Sequence, residues 1–224
     1  MKQYTLIRRR NQKYIRMHFR DSGELVVSAP YGAPGSEIES FIEKNSSWIE
    51  KNSKKIPSHS YSTGDNIVFW GSTRQLFVIK GKPESVDVLP DSMLLTVTNP
   101  EDTDRIKKML YEFYGKNLYV YLNGIIKQWC EKLETNVPQL MICNSKTRWG
   151  VCYSSRKLIK ISAMTACLAQ DLIELILVHE LCHLKQCNHG PAFHLLMQSV
   201  LPNAKELEKK LKSIDRQGLH RNLF

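Results

Sequence analysis

The stretch DLIELILVHELCHLKQCNHG, residues 171–190, decides how the chain folds around a chemical site. It contains an H-E-x-x-H motif, in which His179 and His183 stand four residues apart and Glu180 follows the first histidine. The residues around the motif are apolar on nearly every side, which predicts a buried helix over 171–186. Four residues make about one helical turn, so both imidazoles should project from the same face of that helix.

This motif has the chemistry of a metal site. Two imidazoles at that spacing can both reach one Zn²⁺ ion at about 2.0–2.1 Å, and Glu180 is placed to act as a general base toward water. We expect His189 as the third ligand, because Asn188 and Gly190 permit a turn after the helix. His194 is the rival, less apt because it lies inside the next helix. The alternative to a metal is a set of core histidines with hydrogen-bonded partners, although burying such groups unpaired is costly.

The hydrophobic pattern along the chain predicts an α+β fold, β-rich at first and then mainly helical. Strands are expected over residues 14–20, 25–29, 67–70, 75–79, 93–98, 139–143 and 158–161. The first two should form a hairpin, and residues 71–74 should connect a second one. One helix is expected from the Pro30–Gly35 break to about residue 55, with Ser36 and Glu39 as a capping box.

A long spine helix is expected in the middle of the chain. Asn99 and Pro100 predict its start, as N-cap and first helical residue, and a single apolar stripe continues to Trp129. We therefore expect a β-rich region over 1–98 and a second region over 99–224 that contains the spine helix and the metal site. An amphipathic helix should follow Pro202 at the end of the chain.

The charge of the chain favours an anionic partner. Lys and Arg number 32 against 22 Asp and Glu, which gives a formal net charge of +10. The first twenty residues hold no acidic side chain, and their cluster of basic residues comprises Arg8, Arg9, Arg10, Lys13, Arg16 and Arg20. Such a cluster attracts nucleic acid or phosphorylated metabolites, whereas the alternative is a solvated face that only aids solubility. We expect no membrane association and a cytoplasmic location, because no export signal, membrane-length apolar run or C-x-x-C pair is visible.

Two segments together resemble the YgjP-like metallopeptidase family, which are zincins related to SprT-like proteases. They are the run from His179 to His189 with Phe193 beyond, and the block KTRWGVC at residues 146–152, similar to the R-W-G-S-C element of the family. The resemblance covers nearly the whole chain. It implies a zincin-like C-terminal half, zinc held by His179, His183 and His189, and Glu180 as catalytic base.

The resemblance also implies a peptide or protein substrate, paired by β-augmentation with the strand over 158–161. The chain departs from the family pattern at three positions: Val151 replaces the usual Ser, Ser162 a frequent Asn, and His194 a frequent Trp. These departures leave the metal motif intact but affect the expected substrate pocket.

Arg148 and the cysteines leave alternatives open. Arg148 is expected either to stabilise an oxyanion or orient an anionic substrate near the metal, or to pair with a carboxylate while Trp149 packs in the core. Cys152, Cys182 and Cys187 are alternative soft ligands. The function predicted first is a zinc-dependent peptidase. The alternatives are a metal-dependent hydrolase of nucleotide phosphoanhydrides, and a nucleic-acid-associated protease or binding module with structural zinc.

Overall fold

The computed structural model describes residues 4–19, 24–53, 61–145 and 147–216. Its fold is a mixture of helices and small sheets, which confirms the α+β class. The chain divides into two compact units, residues 1–59 and residues 60–224. This boundary differs from the division at residue 98 that the sequence pattern suggested, because the strands over 66–97 share the apolar core of the second unit.

The first unit contains a three-stranded sheet. Its strands are β1 (Tyr4–Arg9), β2 (Arg16–Phe19) and β3 (Leu25–Pro30), in the order β1-β3-β2. The antiparallel pairing of β2 with β3 confirms the first hairpin, whose turn lies outside the described residues. Strand β1 pairs parallel to β3 and was not predicted, because Leu6 and Ile7 are successive apolar residues that break the alternation.

Two short helices follow this sheet, where the sequence predicts one. They are α1 (Gly35–Lys44) and α2 (Ser46–Ser53), separated at Asn45. The capping box predicted for Ser36 and Glu39 is wrong. Pro34 occupies the N-cap without a side-chain hydrogen bond, so Ser36 already lies inside the helix. The unit closes around a small apolar core that includes Leu25, Val27, Ala29, Ile38 and Ile49.

The second unit begins with a four-stranded sheet. Its strands are β4 (Asn66–Phe69), β5 (Ser72–Lys80), β6 (Ser85–Val88) and β7 (Ser92–Val97), in the order β4-β5-β7-β6. The second hairpin is confirmed, but its turn is the two residues Trp70 and Gly71, with φ angles of 52° and 75°. Both values are typical of the tight turns that suit the twist of a hairpin.

That turn anchors the sheet to the segment that leads into the metal motif. The backbone N–H groups of Trp70 and Gly71 donate to the carbonyls of Ala166 and Cys167, at 2.8 and 3.1 Å. A Cβ at Gly71 would lie 2.9 Å from Ala169, so only glycine permits this approach. The four-stranded sheet therefore supports the start of the helix that carries the motif.

The spine helix α3 spans Thr103–Lys132, and its apolar stripe is buried as predicted. Its start at Asn99 and Pro100 is wrong, since both residues lie in the preceding turn. Asp102 is the N-cap, and its carboxylate accepts from the backbone N–H of Arg105 at 3.0 Å. One face of α3 contacts the four-stranded sheet, where the Tyr114 hydroxyl donates to the carbonyl of Val68.

A second small sheet in this unit also contacts the spine helix. It contains β8 (Gln139–Cys143), β9 (Gly150–Tyr153) and β10 (Leu158–Ser162), in the order β8-β10-β9. The expected pairing of the 158–161 strand with a peptide is wrong, because β8 and β9 already occupy both edges of β10. Strand β9, which was not predicted, lies at the edge instead.

Three helices complete the second unit: α4 (Gln170–Cys182), α5 (Pro191–Val200) and α6 (Ala204–Arg216). Helix α4 is buried almost all round, as predicted, but it ends at Cys182 rather than at residue 186. Helix α6, the predicted amphipathic helix, packs against α4 and α5 with Ala204 and Leu207 buried. In the described ranges, no helix combines the length and apolar character that crossing a bilayer requires.

Candidate metal centre

Three histidines converge at the C-terminal end of α4. His179 lies in its last turn, and His183 follows it with helical dihedral angles, so the two side chains share one face. The chain then turns back before α5 and brings His189 to the same point. The Nε2 atom of His189 lies 3.0 Å from that of His179 and 3.1 Å from that of His183. His189 is exposed, so this histidine cluster opens to the surface.

The histidine side chains of the cluster present nitrogen lone pairs that can bind a cation. The Nδ1 atom of His183 lies 2.9 Å from the carbonyl oxygen of Gln186. Because a carbonyl only accepts, Nδ1 carries the proton and Nε2 of the neutral ring is left with its lone pair. Burial, and then the neighbouring histidines, lower the pKa of His179 to about 4. Burial also lowers the pKa of His189.

The geometry of the cluster fits a divalent metal ion better than a set of mutually hydrogen-bonded rings. His189 Nε2 lies between the other two Nε2 atoms, and a single N–H there could donate to only one of them. A cation in the centre would instead accept all three lone pairs. The spacing of 3.0–3.1 Å is close to the roughly 3.3–3.4 Å between tetrahedral ligands of zinc at bonds of about 2.0–2.1 Å.

The rival ligands lie elsewhere. His194 is on α5 and is not a member of the ligand group, as the sequence predicted. The sulfur of Cys182 lies 3.8 Å from that of Met197, and the sulfur of Cys187 lies 3.9 Å from the hydroxyl of Ser154. Among the described residues, the group able to hold an ion consists of His179, His183 and His189 alone.

The side chain of Glu180 lies against strand β9, close to Gly150. Its side chain is buried, and burial raises the pKa of its carboxyl to about 7. Two smaller effects oppose burial and lower this pKa: a hydrogen bond from the backbone N–H of Cys152, and the positive charge of Arg148. A carboxylate with a pKa near neutrality can both accept and return a proton at physiological pH.

Comparison with known proteins identifies the family of the chain. Residues 13–214 match the family described as YgjP-like, metallopeptidase domain. The chain belongs to the YgjP-like family. No curated protein matches the sequence. Among solved structures, the chain is similar to the metallopeptidase zymogen abylysin of Pyrococcus abyssi, with 23% identity, 46% of this chain and 99% of that chain covered, and a TM-score of 0.40. The family resemblance expected from the motifs is confirmed, and membership supports a metallohydrolase.

One aromatic ring packs against the histidine cluster in this YgjP-like chain. Phe193, on α5, is fully buried. Its ring centroid lies 4.9 Å from that of His179, 4.7 Å from that of His183 and 4.8 Å from that of His189. One rigid side chain therefore contacts every member of the cluster. From the sequence alone, Phe193 is visible only as part of the family motif, and no role for it follows from its position.

Arg148 is near enough to Glu180 for its charge to lower the pKa of that carboxyl, and no ion pair between described residues holds its guanidinium. Its side chain is exposed, and its backbone N–H donates to the hydroxyl of Ser145 at 3.2 Å. Its guanidinium is therefore accessible to an anion near the base, and its catalytic role stays a prediction.

Gly150 is a residue near the site that sequence reasoning missed. Cys152, considered there only as an alternative metal ligand, is outside the ligand group and contacts Glu180 through its backbone instead. Both residues lie on β9 next to Glu180. Gly150 has no side chain and so leaves space for Glu180, and the backbone N–H of Cys152 donates to the carboxylate. The signal was present, since both belong to the R-W-G-V-C block that carries the family resemblance. The residue pattern of this block indicates the family, but it does not indicate that the strand packs against α4.

Proposed function

We propose that the protein is a zinc-dependent metallopeptidase in which His179, His183 and His189 hold the ion and Glu180 is the general base. The observation that carries the proposal is the convergence of three imidazole nitrogens, with a buried carboxylate on the residue that follows His179 in the chain. Membership of the family supports a metallohydrolase. That the metal is zinc and that the substrate is a peptide are proposed in addition. Three histidines leave one corner of a tetrahedral site for water or substrate.

Each residue has a distinct task in this proposal. A bound zinc ion would supply a Lewis acid that polarises the scissile carbonyl and makes water easier to deprotonate. Glu180 takes the proton from the attacking water and later returns it to the leaving amine, for which a pKa of about 7 is well suited. The Gln186 carbonyl keeps His183 in the tautomer that presents Nε2. The guanidinium of Arg148 orients the substrate or stabilises its developing negative charge.

An extended peptide would bind along the edge of β9. This strand is at the end of its sheet, and it runs directly beside Glu180. The β10 strand expected for this task is enclosed between its neighbours. The peptide would pair with outward backbone groups of β9 other than the Cys152 N–H, which donates to the Glu180 carboxylate, and this pairing would depend little on the substrate sequence.

The decisive experiment compares wild-type protein with Glu180→Gln in a chelator-sensitive hydrolysis screen. Both proteins should contain about one zinc ion per chain by elemental analysis, because Glu180 is not in the ligand group. Turnover of an unstructured casein-type substrate should fall at least about 100-fold in the variant, since a general base contributes roughly 10²–10⁴-fold. Equal turnover in the two proteins, or native protein that binds no transition metal, would reject the proposal.

A hydrolase of nucleotide phosphoanhydrides is the second candidate. The exposed guanidinium of Arg148 near Glu180, and the formal net charge of +10, favour an anionic substrate. Nucleoside triphosphates therefore form a second arm of the screen. Zinc-dependent release of phosphate or diphosphate, with no peptide cleavage, would replace the first proposal by this one.

An anionic macromolecule is proposed as a partner of the first unit. Arg9, Arg10, Lys13 and Arg16 are exposed on or beside its sheet. Arg8 is less available, since its guanidinium donates to two backbone carbonyls, while Arg20 lies outside the described residues. Binding of a fluorescent single-stranded oligonucleotide should weaken steeply with salt and be lost on reversing the charges of the exposed four. Salt-independent binding, or none, would contradict this partner.

A further inference from the structure

Strand β9 passes unusually close to the side chain of Glu180. A Cβ built on Gly150 would lie 2.8 Å from both Cγ and Oε1 of Glu180. Real Cβ atoms essentially never approach another heavy atom so closely, so any larger residue at 150 would push the carboxylate aside. Gly150 does not have a positive φ angle, and the close approach is therefore what requires glycine here.

The same strand also donates a hydrogen bond to the carboxylate. The Trp149 carbonyl accepts from the Ser162 N–H at 2.8 Å, so in this antiparallel pair residues 149, 151 and 153 direct their backbone groups toward β10. Gly150 and Cys152 therefore direct theirs away from β10. The Cys152 N–H reaches the Glu180 carboxylate from this outer edge.

The position of β9 relative to α4 is fixed by its own hydrogen bonds. The Trp149 carbonyl accepts both the Ser162 N–H and, at 3.3 Å, the hydroxyl of Thr165. Both donors are fully buried and lie in β10 or in the turn that leads into α4. The residue immediately before Gly150 is thus held to the segment from which the base-bearing helix begins.

We propose that β9 is the positioning element of the general base: Gly150 leaves the space in which the Glu180 side chain lies, and the Cys152 N–H fixes the direction of its carboxylate. Neither residue reacts with substrate. The catalytic consequence rests on the proposed function, whereas the contact itself does not. Pre-positioning by a strand matters because a misplacement of about 1 Å can cost roughly 100-fold in rate.

Amide hydrogen exchange tests the contact without any substrate. In zinc-loaded wild-type protein the Cys152 N–H should be protected, and in Glu180→Ala at the same zinc occupancy its exchange should be about tenfold faster, as expected for one lost hydrogen bond to a charged acceptor. The Val151 N–H, which faces Lys160 of β10, is the matched control and should exchange equally in both proteins. Equal exchange at Cys152, or equal acceleration at Val151, would overturn the proposal.

Steady-state kinetics of Gly150→Ala test the catalytic consequence. We expect kcat to fall at least about tenfold with KM and zinc content nearly unchanged, because the added methyl displaces the base and not the ligands. Gly124→Ala is the control, since nothing lies within 4 Å of a Cβ at that position. In a Glu180→Ala background, Gly150→Ala should cause no further loss of activity.

The arms of the experiment separate the two proposals. Unchanged kcat in Gly150→Ala, or a further loss in the Glu180→Ala background, would overturn the positioning role. Crowding against Ile161, whose Cδ1 would lie 3.0 Å from the new methyl, is tested by adding Ile161→Val. Restoration of kcat by this second change would also overturn the role. If exchange behaves as expected but no substrate is hydrolysed, the hold of β9 on Glu180 is supported and the proposed function fails.

Discussion

The proposed metal ligands and the proposed general base are neighbours in the chain, but different parts of the molecule position their side chains. All three histidines, and the Phe193 ring beneath them, come from one continuous segment over 179–193. The surroundings of Glu180 come largely from β9, about thirty residues earlier in the chain. The ligand set therefore depends on helix spacing and one turn, whereas the direction of the base depends on how a sheet edge meets a helix.

The largest expected effect concerns the third ligand. His189→Ala should lower zinc affinity at least about 100-fold. Loss of a residue that only hydrogen-bonds to a metal ligand costs roughly 10–100-fold, and loss of a ligand itself should cost more. His194→Ala should change the affinity by less than about threefold, because His194 is outside the ligand group. Competition with a zinc-binding dye measures both. The reverse order of the two effects would mean that the chain after α4 folds differently.

The next prediction separates the proposed base from the proposed ligands by their response to pH. Burial raises the pKa of Glu180 from 4.5 to about 7, so folded metal-free protein binds more protons than unfolded protein between these values. As pH falls from 7 to 4.5, the free energy of unfolding of wild-type protein should rise relative to Glu180→Gln by about 3 kcal/mol. Urea denaturation of chelator-treated proteins measures this difference. A constant difference would contradict the buried environment of the carboxyl.

His179 should shift stability in the opposite direction. Burial lowers the pKa of His179 from 6.5 to about 4, so unfolded metal-free protein binds more protons between these values. Its contribution therefore falls as pH decreases from 6.5 to 4, in both proteins of the comparison above. In Glu180→Gln, which lacks the carboxyl with the opposite effect, the free energy of unfolding should fall by the full contribution of His179.

The smallest expected effect sharpens the ligand side of the comparison. Phe193→Leu should lower zinc affinity about tenfold, because a smaller aliphatic side chain no longer contacts all three imidazoles. Met197→Leu is the control, a buried change one helical turn further along α5. Melting temperatures and zinc titrations of both variants are compared. Equal affinity in the two variants would show that Phe193 supports the core and not the site.

The ligand segment could be predicted because its geometry is local. The spacing of His179 and His183 follows from the helical period, and Asn188 and Gly190 indicate the turn that returns His189. The helix nevertheless ends at Cys182, earlier than predicted, since the apolar pattern does not mark where the turn begins. The long spine helix was equally visible from its period, although its cap was assigned three residues too early.

The support of the base could not be predicted because it depends on pairing over a distance. Strand β9 is only four residues long, and its sequence has no strong alternation. Its edge position depends on β8 pairing with the far side of β10, which no local pattern encodes. The closeness of Gly150 to Glu180 follows from that register and from the packing of α4 on the sheet.

Helix α4 is enclosed by apolar side chains almost all round, so the core and not the ion determines where His179 stands. Small zinc domains that fold only around their metal must refold each time the ion is removed. With zinc bound as proposed, a chelator should remove the ion while the chain stays folded, and added zinc should rebind within the mixing time. The fraction of loaded molecules would then follow the free zinc concentration by simple mass action.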